Sequence, residues 1–185
     1  MNKINIIHYK TIDSTQKEIW RKIENRDIKD KTLIMADIQT DGIGTHGRKW
    51  YTTEENNIAF SFVMFPHIEI NKLEGLTTKI AEILVEVFKK IYNLDLNIKK
   101  PNDIIIKNKK IGGILTETKL QGTIVNTIVI GIGINTNQMN FEEEIKNIAT
   151  SIKKEFGIKI DNKLIIKEFI KEFDSSFCNI LESKI

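Results

Sequence analysis

The chain of 185 residues has little of what marks specialised protein classes. Its one cysteine, Cys178, excludes an intrachain disulfide, as expected in a reducing cytoplasm. The histidines His8, His46 and His67 lack the spacing of zinc ligands, so we do not expect a structural zinc site. No apolar run approaches the length of a membrane span, and the N-terminal residues do not form a secretory signal. We therefore predict a cytoplasmic protein without a membrane partner.

The charge balance gives little support to a strongly electrostatic partner. With 28 basic and 25 acidic residues the formal charge is +3, and no run of lysine or arginine exceeds two residues. Nucleic-acid binding is therefore not expected, although a mild attraction to anionic ligands is. The length predicts one domain with a substantial core. In that core we expect Cys178 to be a buried small hydrophobe.

Alternating and helical patterns interleave along the chain, and hairpins dominate its middle. Apolar spacing predicts strands at 4–9, 32–38, 57–65, 96–100, 103–107, 110–119 and 123–134, with turns at Asn108-Lys109 and Gln121-Gly122. It predicts helices from about residue 12, over 72–92, over 148–156 and over 162–182. Thr15 and Glu18 form a predicted capping box for the first helix, and Asn71 and Glu74 cap the second. The last helix has Leu181 turned inward. We expect an α+β fold: a mixed, largely antiparallel β-sheet backed by helices.

A glycine-rich segment, Gln39–Trp50, suits a ligand that carries both a phosphate and a ring. Gly42, Gly44 and Gly47 allow backbone N–H groups to approach an anion, while Arg48 adds positive charge and Trp50 a flat face. A mobile surface loop has the same composition, and that alternative stays open. Because the segment leads into another strand, it is neither a dinucleotide-binding fingerprint nor a P-loop.

Three later segments carry polar residues beside turns or strand ends: Lys99–Asp103, Lys109–Glu117 and Gly131–Asn135. Asp103 could hold a metal ion or order a lysine, or belong to an ordinary surface turn. Lys110 precedes paired glycines that let a ligand approach the backbone, and a β-bulge beside an exposed lysine is the alternative. Asn135 could read an adenine or ribose edge, or form a turn.

Taken in order, five motifs resemble the catalytic domain of biotin–protein ligases, also called biotin–[acetyl-CoA-carboxylase] ligases. They are Asp-Ser-Thr, Gln…Gly-x-Gly-x-x-Gly-Arg-x-Trp, Lys-x-Pro-Asn-Asp, Lys-x-Gly-Gly-Ile-Leu-x-Glu and Gly-x-Gly-Ile-Asn, from about residue 8 to residue 136. The resemblance implies that biotin attacks the α-phosphate of ATP, giving biotinyl-5′-AMP, and that a lysine of a biotin carboxyl carrier domain then accepts the biotin. Such chemistry needs positive charge at the phosphoryl group and no serine or cysteine nucleophile.

The resemblance also implies roles for individual residues. Biotin contacts are implied for Ser14, Thr15, Gln16, Gln39, Gly42, Gly44, Thr45, His46, Gly47, Lys110, Gly112 and Gly113. Contacts to ATP or the adenylate are implied for Arg48, Trp50, Asn102, Asp103, Lys110 and Asn135. Lys110 and Arg48 are then the catalytic residues, and Asp103 is a ligand of Mg²⁺ that enters with ATP. Biotin is the substrate, and no tightly bound prosthetic group is expected.

Several positions depart from the family pattern. Gln16 stands where asparagine is common, and Lys100 replaces a tryptophan that often precedes Pro-Asn-Asp. Ile43 and Thr45 stand where arginine-rich members carry arginines. The loop therefore has fewer charges, and we expect it to hold biotinyl-5′-AMP less tightly.

The expected organisation is a single catalytic domain over 1–185. We expect no helix-turn-helix domain before residue 1, and therefore no repressor function, and no small C-terminal β-barrel domain after the last helix. Two alternatives to ligase activity stay open: a lipoate- or octanoate-transferring relative, and a biotin-binding module with impaired activity. Exposed sheet edges could also pair two subunits into a homodimer.

Overall fold

The computed structural model describes residues 4–52 and 57–182, with side chains as far as Phe177. Its internal contacts divide the chain into two compact units. The first comprises Met1–His67 and Ile114–Ile134, and the second comprises Ile68–Gly113 and Asn135–Ile185. A single catalytic domain over 1–185 stays a prediction.

Strands and helices alternate in the order expected of an α+β fold. The strands are β1 (Asn5–Ile12), β2 (Thr32–Ile43), β3 (Lys49–Thr52), β4 (Ile58–Met64), β5 (Ile68–Glu69), β6 (Asn97–Lys99), β7 (Asp103–Ile106), β8 (Lys109–Gln121) and β9 (Ile124–Ile134). The helices are α1 (Thr15–Glu24), α2 (Leu76–Tyr92), α3 (Ile152–Phe156) and α4 (Asn162–Glu182), with 3₁₀ turns at Thr45–Gly47 and Ile70–Leu73. No helix in the described ranges is both long and apolar enough to cross a membrane.

In the first unit the strand order is β1-β2-β4-β9-β8, and β3 pairs with the end of β2. β1 runs parallel to β2, whereas β2 with β4 and β4 with β9 are antiparallel. Helix α1 packs on this sheet through Ile19, which meets Ile34, Val63 and Val129 in a core that excludes water. This packing fixes the start of α1 above β4 and β9.

The second unit contains β6, β7 and the first residues of β8 in antiparallel order. Helix α2 packs on β6 and β7 and also on α4. Phe169, Phe173 and Phe177 stack along α4 with ring centroids 5.7 and 5.5 Å apart. The predicted burial of Cys178 and Leu181 lies outside the side chains that the structure describes.

The predicted mixed, largely antiparallel sheet is confirmed, but two helix starts were wrong. Ser14, not Thr15, caps α1: its Oγ accepts from the backbone N–H of Lys17 at 3.4 Å. Helix α2 begins after Gly75 with no side-chain cap, because residues 70–73 form a separate 3₁₀ turn. Asn71 and Glu74 therefore do not cap it.

Several boundaries also differ from the sequence pattern. Helix α3 begins only at Ile152, capped by Ser151, although Gly157 closes it as predicted. The hairpin turn between β7 and β8 is centred on Lys107 and Asn108, because both adopt positive φ, at 47° and 67°. β2 continues to Ile43, since its last residues pair with β3.

Candidate functional site

Buried polar side chains collect where the start of α1 meets β2 and β4. The backbone N–H of Thr15 donates to Gln39 Oε1 at 2.8 Å, and Thr15 Oγ1 lies 2.9 Å from Ser61 Oγ. Gln39 Nε2 donates to Thr52 Oγ1 at 3.1 Å. Ser14 and Thr15 are only 1% and 3% exposed. Buried polar groups of this kind are expected to be hydrogen-bonded, and here they are.

The same cluster continues through Gln16 to a carboxylate on β8. Ser61 Oγ donates to Gln16 Oε1 at 2.8 Å, and Gln16 Nε2 donates to Glu117 Oε2 at 2.8 Å. Trp20 Nε1 donates to the same Glu117 oxygen at 2.7 Å. We call Thr15, Ser61, Gln16 and Glu117 the polar relay.

Two glycines of β9 make room for side chains from elsewhere in the first unit. A Cβ atom at Gly131 would lie 2.7 Å from Gln16 Oε1, and one at Gly133 would lie 2.3 Å from Cε2 of Trp50. Neither distance is compatible with an alanine in the present arrangement. The Gly-x-Gly motif is therefore explained by Gln16 and Trp50, which occupy the space beside it.

The glycine-rich segment is largely an ordered hairpin, because Gly42 pairs with Trp50 and Ile43 with Lys49. Between those strands, Thr45–Gly47 forms a 3₁₀ turn in which His46 adopts a positive φ of 58°. Gly42 is needed in the hairpin, since a Cβ there would lie 2.5 Å from the Trp50 carbonyl oxygen. The paired strands confine the unpaired part of the segment to the residues around the Thr45–Gly47 turn.

Arg48 folds back on the turn. Its Nε donates to the Thr45 carbonyl oxygen at 3.2 Å and its Nη2 to Thr45 Oγ1 at 3.1 Å. Both acceptors are neutral, and the guanidinium is exposed. An arriving phosphate would offer stronger, charge-assisted bonds to the same group.

Charged side chains anchor the beginning of the hairpin to α1. The Asp13 carbonyl oxygen accepts from the backbone N–H of Asp41 at 2.8 Å, and Lys17 forms an ion pair with Asp41. Asp13 also receives two hydrogen bonds of 2.7 Å from Arg21. These bonds from Arg21 lower the pKa of Asp13 from 3.8 to about 2.

In the second unit, Lys110 Nζ lies 2.6 Å from Asp103 Oδ1, and the two side chains are 31% and 22% exposed. The pairing of β7 with β8 shifts register between Ile104 and Ile105, so that Ile105 opposes Lys110. The extra residue, Ile111, forms a β-bulge that brings Lys110 to the face of Asp103. The predicted alternative of a bulge is confirmed, but the lysine is half-buried and paired with a carboxylate.

Asn135 is a buried structural clip. Its backbone N–H donates to the Ile111 carbonyl oxygen at 2.6 Å and its Nδ2 to the Thr150 carbonyl oxygen at 3.2 Å. Thr150 in turn donates its backbone N–H to the carbonyl oxygen of Lys110 at 2.9 Å. This side-chain amide therefore helps to hold the strand that carries Lys110.

The remaining predicted positions also fall into the second unit. Asn102 lies in the turn between β6 and β7, and Gly112 and Gly113 oppose Ile104 and Asp103 across β7. Among the described residues no three acidic, histidine or cysteine side chains are grouped as a metal site. One carboxylate is nonetheless consistent with Mg²⁺ that arrives bound to phosphate oxygens.

Sequence reasoning assigned no role to Ser61, Thr52, Trp20 or Glu117. The position of Glu117 as the last residue of the Lys-x-Gly-Gly-Ile-Leu-x-Glu motif could have indicated a functional role for it. Ser61 and Thr52 lie in β-strands whose sequence pattern does not indicate a functional role.

The model of the Biotin/lipoate A/B protein ligase family matches residues 9–135. That match covers more than half of the chain, and the chain belongs to this family.

Individual relatives support the same assignment. Bifunctional ligase/repressor BirA of Bacillus subtilis (strain 168) is 35% identical over 94% of this chain and 54% of its own length. BirA of Escherichia coli (strain K12) is 31% identical over 87% of this chain and 50% of its own. The chain thus spans about half the length of these curated relatives.

A solved structure extends the likeness to the whole fold. The biotin protein ligase from Aquifex aeolicus in complex with biotin and ATP superposes with a TM-score of 0.80 at 30% identity. The match covers 96% of this chain and 72% of that one.

Proposed function

We propose that this chain is a biotin–protein ligase that converts biotin and ATP to biotinyl-5′-AMP and transfers the biotin to a lysine of a carrier domain. The observation that carries the proposal is the cluster of the buried Ser14 and Thr15 with the part-buried Gln39, within a chain of this family. The Aquifex relative is described as a complex with biotin and ATP, the two substrates proposed here.

The polar cluster is suited to the ureido group of biotin. Thr15 Oγ1 lies within hydrogen-bond distance of Gln39 Oε1, at 3.1 Å, and the lone pairs that remain on the two oxygens can accept from ligand N–H groups. Ser14 adds a hydroxyl at the start of α1, where backbone N–H groups also attract a carbonyl oxygen. Gln16, by contrast, bonds to Glu117 and Ser61, so its proposed contribution to biotin binding is indirect.

In the first step an oxygen of the biotin carboxylate attacks the α-phosphorus of ATP. A new P–O bond forms, the bond to the bridging oxygen breaks, and pyrophosphate leaves with the electron pair. Negative charge is concentrated on the phosphoryl oxygens, and we assign its stabilisation to Lys110 and Arg48. Mg²⁺ would neutralise pyrophosphate charge, with Asp103 the residue that would hold it in this chain.

In the second step the neutral amine of the carrier lysine attacks the carbonyl carbon of biotinyl-5′-AMP. The C–N bond forms, the C–O bond to AMP breaks, and the amine loses a proton. Trp50 is the proposed adenine-stacking face, and Asn135 a proposed neighbour of the adenylate. The proposed acceptor is the biotin carboxyl carrier domain of acetyl-CoA carboxylase, in the cytoplasm, which fits a chain with one cysteine.

The test measures pyrophosphate release from biotin and MgATP, followed by mass spectrometry of a purified biotin carboxyl carrier domain. Lys110→Ala should abolish release while biotin binding persists, and Lys109→Ala is the matched control at the neighbouring lysine. Lipoate replaces biotin in a parallel reaction, because the family also includes lipoate ligases.

Three outcomes would contradict the proposal in different ways. Turnover with lipoate alone would assign the chain to the lipoate branch. Biotin binding without pyrophosphate release would make it a binding module. Equal loss of activity in both lysine variants would remove the special role of Lys110.

A further inference from the structure

Glu117 accepts two hydrogen bonds on one oxygen, and this fixes the direction of every bond that follows. The donors are Trp20 Nε1 at 2.7 Å and Gln16 Nε2 at 2.8 Å. An indole N–H can only donate and a carboxylate can only accept, so the first bond has one possible direction. Glu117 therefore presents an acceptor to Gln16, whose amide must turn its NH₂ group towards it.

Because its NH₂ group donates to Glu117, Gln16 turns Oε1 towards Ser61. Ser61 Oγ must then donate its only proton to that oxygen, across 2.8 Å. Gly131 keeps this arrangement possible, since a Cβ there would lie 2.7 Å from Gln16 Oε1. Gln16 and Ser61 are 3% and 1% exposed, so water is not a competing partner.

The direction of the hydrogen bond at Ser61 determines the direction of the next one, at Thr15. Because Ser61 has already used its proton, the 2.9 Å contact between the two hydroxyls requires Thr15 Oγ1 to donate. Gln39 Oε1, 3.1 Å from Thr15 Oγ1, is the other acceptor within reach of that proton. With the proton on the shorter contact to Ser61, Gln39 Oε1 accepts only from the backbone N–H of Thr15 at 2.8 Å and keeps a lone pair for a ligand. Thr15 Oγ1 is left with lone pairs only, and it can meet a ligand only as an acceptor.

We propose that Glu117 is a positioning residue that sets the direction of the polar relay and so makes Thr15 Oγ1 and Gln39 Oε1 select ligands with an N–H donor. The inference rests on the proposed function, in which that donor is a ureido N–H of biotin. Glu117 acts through Gln16 and Ser61. The effect is one of donor and acceptor order, which a purely packing role would not produce.

The first test compares Trp20→Phe with the double variant Trp20→Phe/Glu117→Met. Trp20→Phe removes the indole donor and leaves Glu117 to orient Gln16, so it is the matched control. The double variant keeps the volume at position 117 but removes the acceptor, and Gln16 can then turn either way. Isothermal titration is run with biotin and with a biotin methylated on the ureido nitrogen, and the thermal midpoint reports folding.

Relative to Trp20→Phe, the double variant should bind biotin about tenfold more weakly. Its affinity for the methylated ligand, which has lost the donor, should stay unchanged, so the ratio of the two affinities falls. Equal weakening of both ligands would show a structural role and overturn the proposal, as would unchanged biotin affinity. Failure of the wild-type chain to bind biotin would overturn the proposed function instead.

A rescue experiment tests the pairing directly. Gln16→Glu places two carboxylates in contact and should weaken biotin binding more than tenfold. In the Trp20→Phe background, Gln16→Glu/Glu117→Gln restores one donor and one acceptor, and residue 16 still accepts from Ser61. That background is needed because Trp20 Nε1 and residue 16 meet the same atom of residue 117, and one amide atom cannot both accept and donate. The double variant should recover most of the affinity and the preference for biotin over its methylated form. Lack of recovery in a folded double variant would contradict the relay.

Discussion

The indole ring of Trp50 lies directly on the backbone of Gly133, where a Cβ atom would come within 2.3 Å of Cε2. Two residues earlier, Gly131 leaves the space that Gln16 occupies. Both glycines are on the same face of β9, because side chains alternate along a strand. The strand thus receives one side chain from α1 and one from the glycine-rich hairpin.

Gly133→Ala should displace Trp50 and lower the free energy of unfolding by about 1–3 kcal/mol, as expected for overpacking. Chemical denaturation measures the stability, and equilibrium titration measures ATP affinity. The matched background is Trp50→Ala, in which the methyl group added at position 133 finds space. If Gly133→Ala is equally destabilising in both backgrounds, contact with the indole ring is not the cause.

Thr45→Arg should slow dissociation of biotinyl-5′-AMP by about tenfold, because it adds a cation to the hairpin turn and frees Arg48 from the Thr45 hydroxyl. A chase with unlabelled biotin measures the rate. Thr45→Val separates the two effects, since it frees Arg48 without adding charge. No slowing in Thr45→Arg would contradict the expectation that the present turn is short of charge.

Asp103→Asn should reduce the rate of pyrophosphate release about tenfold and leave biotin affinity within about twofold of wild type. The side chain keeps its size but loses the charge that is proposed to hold Mg²⁺ at the pyrophosphate. The same carboxylate lies 2.6 Å from Lys110 Nζ. Asp95→Asn is the control, because Asp95 forms an exposed pair with Lys89 on another surface. A weaker affinity for biotin with an unchanged rate would reverse the assigned role.

Arg21→Gln should raise the pKa of Asp13 from about 2 towards its usual 3.8, since the Arg21 hydrogen bonds are the main cause of the depression. A carboxyl group whose pKa is lower in the folded chain than in the unfolded chain stabilises the fold at any pH above its unfolded-state pKa. This stabilisation is lost as the pH falls through the folded-state pKa. Wild type should therefore have a higher free energy of unfolding than Arg21→Gln at pH 6, and this difference should vanish below about pH 2.

Carboxyl NMR titration measures the pKa, and thermal unfolding across pH measures the stability. Arg26→Gln is the control, because it removes the same charge without contacting Asp13. A pKa for Asp13 that is equal in wild type and Arg21→Gln would contradict the assignment to Arg21.

The sequence predicted the class of fold and the helix over 162–182, because both follow from apolar periodicity. It placed the cap of α1 one residue late, since Ser14 and Thr15 are both good capping residues and only the backbone decides between them. The β-bulge at Ile111 was one of two interpretations, and its effect on Lys110 needed the strand register. The polar relay could not be predicted, because Gln16 and Glu117 are 101 residues apart in the chain.

The two cationic side chains proposed to bind phosphate, Arg48 and Lys110, differ in the partners that they must give up when phosphate binds. Arg48 rests on two neutral oxygens of Thr45, whereas Lys110 rests on the carboxylate of Asp103. An anion that recruits Arg48 therefore displaces no charge, while one that recruits Lys110 competes with an existing anion. Added salt weakens the new attraction between Arg48 and the anion, whereas at Lys110 it screens both the ion pair that is lost and the one that is gained, so the net effect there is smaller. The ionic-strength dependence of each step thus distinguishes which cation that step employs.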